Sequence, residues 1–203
     1  MGTTPTYSWP YPDDTDPVAN GAQDIEDLAL AVETTVSGLD QGGLVFISRT
    51  TVGSAVSSVT VSGAFSSTYD NYRVLLHGIV PSTNAGLTIR FGAVASGYKF
   101  AGWLANYAGT SSGIGTASGT EIRLAAVDPT DLEGISVDIY GPNLADKTNT
   151  TSLANYGAGG TSGGVTMYAG IEPGSTQHTA FSIQLTSGTM TGGTIDLYGY
   201  RKA

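Results

Sequence analysis

Cysteine is absent from the 203 residues, which removes disulfide frameworks, thiolate zinc sites and cysteine nucleophiles together. No apolar run approaches the roughly 18 to 20 residues that a membrane-spanning helix needs, so membrane insertion is not expected. The first residues carry neither the basic nor the apolar region of a secretory signal. Positive charge is scarce, with eight Lys and Arg against 17 Asp and Glu. Without a basic stripe the chain lacks the counterion-releasing surface that DNA or RNA binding needs, and nucleic acid is excluded as an expected partner. The two histidines, His77 and His178, have no short His-x-x-x-His spacing, and no transition-metal site or other cofactor is expected.

What is present is 29 glycines, 40% apolar residues and only 12% charged ones, a mix suited to many short strands joined by tight turns. The length favours one fold plus appendages. Charge is distributed unevenly. Residues 1 to 43 hold Asp13, Asp14, Asp16, Asp24, Glu26, Asp27, Glu33 and Asp40 with no Lys or Arg, so nearly all of the net charge of -9 sits there. The remainder is close to neutral.

Pro5, Pro10, Pro12 and Pro17 punctuate the first segment, each fixing its own φ and biasing its predecessor toward extended geometry. Residues 1 to 20 therefore read as an extended acidic arm. It holds Tyr7, Trp9 and Tyr11 where nothing near in sequence can bury them, which suits a groove of a partner, and Asp13, Asp14 and Asp16 favour a basic docking surface. Asn20 followed by Gln23 reads as a capping-box variant opening a helix near Gly21, with Gly38 as its stop. A helix and linker over 21 to 42 follow. The helix stripe is Ile25, Leu28, Val32, Val36 and Leu39, with Ala22 and Ala29 on or near the same face. Spacings of 3 and 4 suit either a seam between helices of neighbouring subunits or a face laid on the protein's own sheet.

From Leu44 the period changes to 2, the pattern of half-buried strands. Alternation is seen at Leu44 to Ile47, Val59/Val61, Tyr72/Val74/Leu76, Leu87/Ile89/Phe91, Ile122/Leu124, Ile135/Val137/Ile139, Val165/Met167, Phe181/Ile183/Leu185 and Ile195/Leu197. With no helical pattern between them, these predict a mainly β domain over 43 to 203, an antiparallel, jelly-roll-like β-sandwich. Two Gly/Ser/Thr-rich stretches, Tyr107 to Glu121 and Asn155 to Gly164, read as loops. Tyr98, Trp103, Tyr107 and Tyr156 near them are candidate receptor contacts, though packing is the commoner use of an aromatic.

Chemistry is thin. G-x-S-x-G occurs at Gly109 to Gly113 and at Gly160 to Gly164, but the serine-hydrolase elbow needs a strand-to-helix turn with an acid and a histidine following in the chain, and no helical pattern follows either match. Asp128, Asp131 and Glu133 lack the spacing of a calcium loop. No catalytic residue is assigned and no enzyme is expected.

The arm P-Y-P-D-D-T-D-P-V-A-N-G-A-Q-D-I-E-D-L-A, the helix, and then G-L-V-F-I before a small β domain resemble small tail-fibre and minor tail proteins of tailed bacteriophages, of actinophage or cyanophage type. Phe65 to Val74 is similar to the F-x-x-x-Y-D-N-Y strand entry of that group, and Gly193 to Tyr200 to its closing strand. The resemblance implies a non-enzymatic virion component, made in the bacterial host cytoplasm, commonly a homotrimer. Its arm would dock on other tail or capsid proteins while its β domain contacts a host-surface glycan or protein. A capsid decoration or head-fibre protein is the alternative within that class. A carbohydrate-binding module or polysaccharide depolymerase fragment is the alternative outside it.

Overall fold

The computed structural model describes residues 1–38, 43–130, 134–156 and 163–202. It divides into two compact units, Met1–Gly42 and Gly43–Lys202.

In the first unit the arm is not simply extended. Strands β1 (Gly2–Thr3) and β2 (Pro10–Tyr11) pair antiparallel. Between them the amide of Ser8 donates to the Thr4 carbonyl at 3.0 Å and that of Trp9 to Thr4 Oγ1 at 2.9 Å. The turn needs a positive φ of 55° at Ser8. A 3-10 turn, Val18–Asn20, leads straight into α1 (Gly21–Gly38). The expected capping box does not form, because Asn20 lies inside that turn, its amide donating to the Pro17 carbonyl at 2.9 Å. Gln23 instead donates forward, through Nε2 to Asp27 Oδ1 at 3.0 Å. Pro17 takes the role of helix opener, its fixed φ of -63° suiting the entry.

The second unit is a lopsided antiparallel sandwich. Its strands are β3 (Leu44–Thr51), β4 (Ser58–Val61), β5 (Asn71–His77), β6 (Val80–Pro81), β7 (Ala85–Phe91), β8 (Tyr98–Asn106), β9 (Ser111–Gly119), β10 (Ile122–Val127), β11 (Gly134–Tyr140), β12 (Thr148–Tyr156), β13 (Gly164–Glu172), β14 (Phe181–Leu185), β15 (Met190–Thr191) and β16 (Thr194–Tyr200). Eight form one sheet in the order β3-β16-β5-β11-β12-β13-β8-β9, and four form the other in the order β10-β7-β14-β4. A short β15-β6 ladder completes it. Between the sheets lies a core of fully buried side chains such as Tyr72, Leu76, Ile89, Phe91, Leu124, Ile139 and Phe181.

The two motifs that carried the phage resemblance meet in this core. Tyr72 is fully buried, and its hydroxyl donates to the Ser66 carbonyl at 2.9 Å while accepting from the Ser66 amide at 2.8 Å. Phe65 and Tyr69 stand edge-on to Tyr72, with ring centroids 4.8 and 5.9 Å away. The closing strand β16 pairs with β5, and its Gly199 leaves the space that the Tyr69 ring fills. Both motifs are thus a tie between the loop before β5 and the last strand.

Five strands escaped the periodicity: β8, β9 and β12, and the two-residue β6 and β15. The first Gly/Ser-rich stretch is no loop, since Ser111–Gly119 pairs with β8 as an edge strand. Backbone pairing needs no apolar side chains, so hydropathy gave no signal there. The second stretch lies largely outside the described residues, apart from Asn155 and Tyr156 at the end of β12 and Gly163 and Gly164 at the start of β13. In β13 the alternation is present but its sense is reversed: Thr166 is buried, whereas Val165 and Met167 face solvent.

Candidate functional site

Two surfaces concentrate exposed apolar side chains, one in each unit. In the first, Tyr7 and Trp9 stack with ring centroids 5.1 Å apart, and Tyr7 and Tyr11 are about half exposed. Trp9 is already half-buried and its Nε1 donates to Thr35 Oγ1 at 2.8 Å. It therefore finds on α1 the cover that the local sequence could not offer. Of the arm's acids, Asp13 and Asp16 lie 3.3 and 2.7 Å from the Met1 amino group. Asp13 is drawn down to about 2, chiefly by hydrogen bonds from the Thr15 hydroxyl and amide and then by the amino group. Asp16 is lowered mainly by the amino group. Asp14 is exposed.

Along α1 the stripe splits. Asp24, Leu28, Ala31 and Thr35 form the covered side, while Ala22, Ile25, Ala29 and Val36 are exposed and Val32 is half-buried. Positions 22, 25, 29, 32 and 36 follow the 3-4-3-4 spacing of an a/d seam. Leu39 would continue it and lies outside the described residues.

In the second unit the outer face of the large sheet carries an apolar row. Strand register places Leu75, Ser136, Leu153, Met167, Trp103 and Gly113 in one row across β5, β11, β12, β13, β8 and β9. Leu153, Met167 and Trp103 are 49%, 56% and 54% exposed. Val165, Ala105 and Ser111 form the flanking row on one side, and Ala169, Ala101 and Gly115 on the other. The Trp103 ring lies against β9 where Gly113 has no side chain, since a Cβ there would touch the ring at 3.9 Å. Small residues around Trp103 leave it standing as a ridge. Beside Leu153, the small Gly134 and Ser136 form the floor of an apolar valley of about 520 Å³, walled by Leu75, Leu153 and Val165.

The carboxylates Asp138 and Asp196 on this face are paired off, while Lys99 stands exposed beyond Ala101 on β8. Arg73 makes a two-pronged bond to Asp138, both contacts 2.7 Å, and Arg49 does the same to Asp196 at 2.7 and 2.6 Å. Each guanidinium holds its carboxylate below the usual range. Tyr200 donates to Asp138 Oδ1 at 2.7 Å, and burial together with that bond pushes its hydroxyl up to about 12.

The four candidate receptor aromatics do not form one site. Tyr98 is a correction: it is fully buried, its hydroxyl accepting from the Phe91 amide at 2.9 Å and donating to the Val94 carbonyl at 3.2 Å. Burial drives its hydroxyl to about 12. Packing claims it because β8 starts over the small sheet before running out beyond it. Trp103 is on the open face, and Tyr107, 66% exposed, is in the β8–β9 turn. Tyr156 ends β12, and its side chain lies outside the described residues. Ser111 of the first G-x-S-x-G opens strand β9, so that serine is not on a strand-to-helix turn. Of the acidic turn, Asp128 Oδ1 accepts from the Thr130 amide and hydroxyl, while Asp131 and Glu133 lie outside the described residues. Among the described residues no three His, Asp or Glu side chains cluster as metal ligands. No described helix is long and apolar enough to cross a membrane.

The outer face was legible only after pairing was known. Its signal was the row of Thr148, Thr150, Ser152 and Thr166 on the inner side of β12 and β13, all buried. Strand β13, which turns Thr166 inward and Val165, Met167 and Ala169 outward, has its apolar side on the solvent face, whereas on β12 Leu153 stands between Thr151 and Asn155.

No protein family matches the chain, and no curated protein does. Among solved structures, a fructofuranosidase from Schwanniomyces occidentalis aligns at 7% identity over 79% of this chain and 34% of its own, with a TM-score of 0.25. The tripod from the baseplate of bacteriophage Tuc2009 aligns at 11% identity over 94% of this chain and 98% of its own, with a TM-score of 0.22. The subviral particle of infectious bursal disease virus VP2 aligns at 9% identity, covering 79% and 42%, with a TM-score of 0.12. This chain spans about a third of the fructofuranosidase's length. At these scores none carries an argument about function.

Proposed function

We propose that the chain is a non-enzymatic structural protein of a tailed-phage particle, a short tail fibre or minor tail protein. In this reading it is a homotrimer that docks on tail or capsid proteins through its N-terminal arm. The β unit then stands outward for adhesion to the host surface, with Tyr107 in the exposed β8–β9 turn as a contact. The observation that carries the reading is the first unit. It ties Trp9 to α1 yet leaves Tyr7 and Tyr11 about half exposed, and Asp14 and the helix residues Ala22, Ile25, Ala29 and Val36 exposed. Such a preorganised, amphipathic attachment device loses little entropy on binding. The sequence resemblance in the arm, at Phe65 to Val74 and at Gly193 to Tyr200 supports it as well.

The test is deletion of residues 1 to 20. The truncated protein is expected to keep the far-ultraviolet signature of its β unit and to be missing from purified particles. Truncated protein recovered on particles at the normal level overturns the docking role. Labelling of intact particles, viewed by electron microscopy, separates a tail position from a capsid one.

A further inference from the structure

We infer that the outer face of the large sheet is a self-association surface, on which Trp103 of one copy seats in the Ser136 valley of another. This deepens the homotrimer proposed above and names the surface that would close it.

The first ground is the inverted patterning. Strands β12 and β13 bury Thr148, Thr150, Ser152 and Thr166 inside the sandwich; Ser152 donates to the Leu124 carbonyl at 2.7 Å, but among the described residues the Oγ1 atoms of Thr148 and Thr166 have no hydrogen-bond partner. The same strands hold Leu153, Val165 and Met167 to solvent. Burying hydroxyls while exposing large apolar groups runs against the hydrophobic effect in a lone chain. It is resolved when a second apolar surface covers the outer side.

The second ground is the fit of the face to itself. Trp103 is a ridge and the valley over Ser136 is a hole of about 520 Å³, both in one register row. They are three strand spacings apart, roughly 14 Å. One copy's indole therefore reaches another's valley by a sideways offset, with no slip along the strands. That offset puts the half of the face near β8 against the half near β11, which serves a pair or a closed ring equally.

The third ground is charge. A chain of net charge -9 repels its copies, yet the charges beside this row are internal pairs, Arg73 with Asp138 and Arg49 with Asp196. Copies can meet here without like charges facing each other. Size also bears on the assembly. Six strands by five residues cover roughly 24 by 17 Å, about 400 Å², half of what one partner brings to a standard interface. The face is therefore expected to act together with another surface, for which the a/d stripe of α1 is suited.

The test is sedimentation of the full chain at micromolar concentration, beside Trp103→Ser and Ser136→Lys. Both replaced side chains are on the open face, so each variant is expected to keep its circular dichroism and denaturant midpoint at low concentration. The native chain is expected at three times the chain mass, and each variant to associate roughly thirtyfold more weakly or worse, as for a central anchor. A native dimer weakened by the same variants upholds the face and overturns the trimer. Native-like assembly of both variants overturns the face, leaving the helix stripe, tested with Val36→Glu, as the association site. A native monomer overturns self-association outright. A monomer whose Trp103 fluorescence is quenched by oligosaccharide assigns the face to a glycan instead. None of these outcomes depends on whether the arm docks on particles.

Discussion

Replacing Tyr72 with Phe isolates the tie that holds the loop before β5 to that strand, within the first of the two recognisable motifs. The ring and its contacts with Phe65 and Tyr69 remain, and only the hydroxyl is lost. That hydroxyl makes two bonds, 2.8 and 2.9 Å, to the amide and carbonyl of Ser66. Each bond contributes about 1 kcal/mol net, and a donor or acceptor left without water costs more. Ser66 is exposed, so its backbone groups recover part of the loss from solvent, and about 2 kcal/mol is expected in all. For a β unit of this size that corresponds to a drop of roughly 4 to 8 °C in Tm. The assay is urea unfolding of the full chain at one fixed concentration, since association shifts the apparent midpoint. Tyr140→Phe is the control, because its hydroxyl is 3.5 Å from Thr151 Oγ1 on the exposed outer face and should change stability by less than about 0.5 kcal/mol. If Tyr72→Phe matches that control, the Phe65 to Val74 motif is not a structural tie and its role must be sought at the surface.

Two further perturbations read the fold from other directions. Arg73 holds the Asp138 carboxylate below its ordinary value of 3.8, so the unfolded chain takes up that proton more readily than the folded one. The pair's stabilisation is therefore full above about pH 4 and is lost as pH falls through the depressed folded value. Asp138→Asn should lower stability at pH 7 by about 1 kcal/mol, allowing for solvent screening of Arg73, and should flatten the acid limb of the stability curve. An unchanged acid limb refutes the pairing. Gly199→Ala puts a methyl group into the Tyr69 ring against a closing strand held on both sides. Overpacking of this kind costs about 1 to 3 kcal/mol, and unaltered thermal unfolding would show that the ring moves aside freely.

Strands whose apolar residues face inward were readable because burial and alternation agree. Val74, Leu76, Ile89, Val137, Ile139 and Ile183 each sit where period 2 puts them, and all are fully or almost fully buried. The helix start at Gly21 was readable as well, though the cap was not, because the 3-10 turn after Pro17 uses backbone bonds that composition does not reveal. Ser111 to Gly119 was unreadable for a different reason. An edge strand whose residues are nearly all exposed has no buried face, so no pattern of hydropathy can mark it. Trp103 was singled out as an exposed aromatic, but its neighbours Met167 and Leu153 come from strands more than 45 residues away, and only strand pairing brings them together.

The most recognisable letters of the sequence and its interaction surfaces are therefore different residues. In Tyr-Asp-Asn-Tyr and the closing Asp-Leu-Tyr-Gly-Tyr several positions are held by a specific contact. Tyr72 is held by Ser66, Asp70 by Lys202 at 2.7 Å, Asp196 by Arg49, and Tyr200 by Asp138. Residues fixed in this way report a fold. A surface that meets a partner by shape tolerates exchange among Leu, Val, Ile and Met, so it carries little letter-level signal. It betrays itself instead by a physical inconsistency, apolar groups outside over hydroxyls inside, as on β13 and at Leu153 of β12. Such inconsistencies between patterning and burial are where a partner surface is to be sought, and the one on β13 is what motivates the self-association surface proposed above.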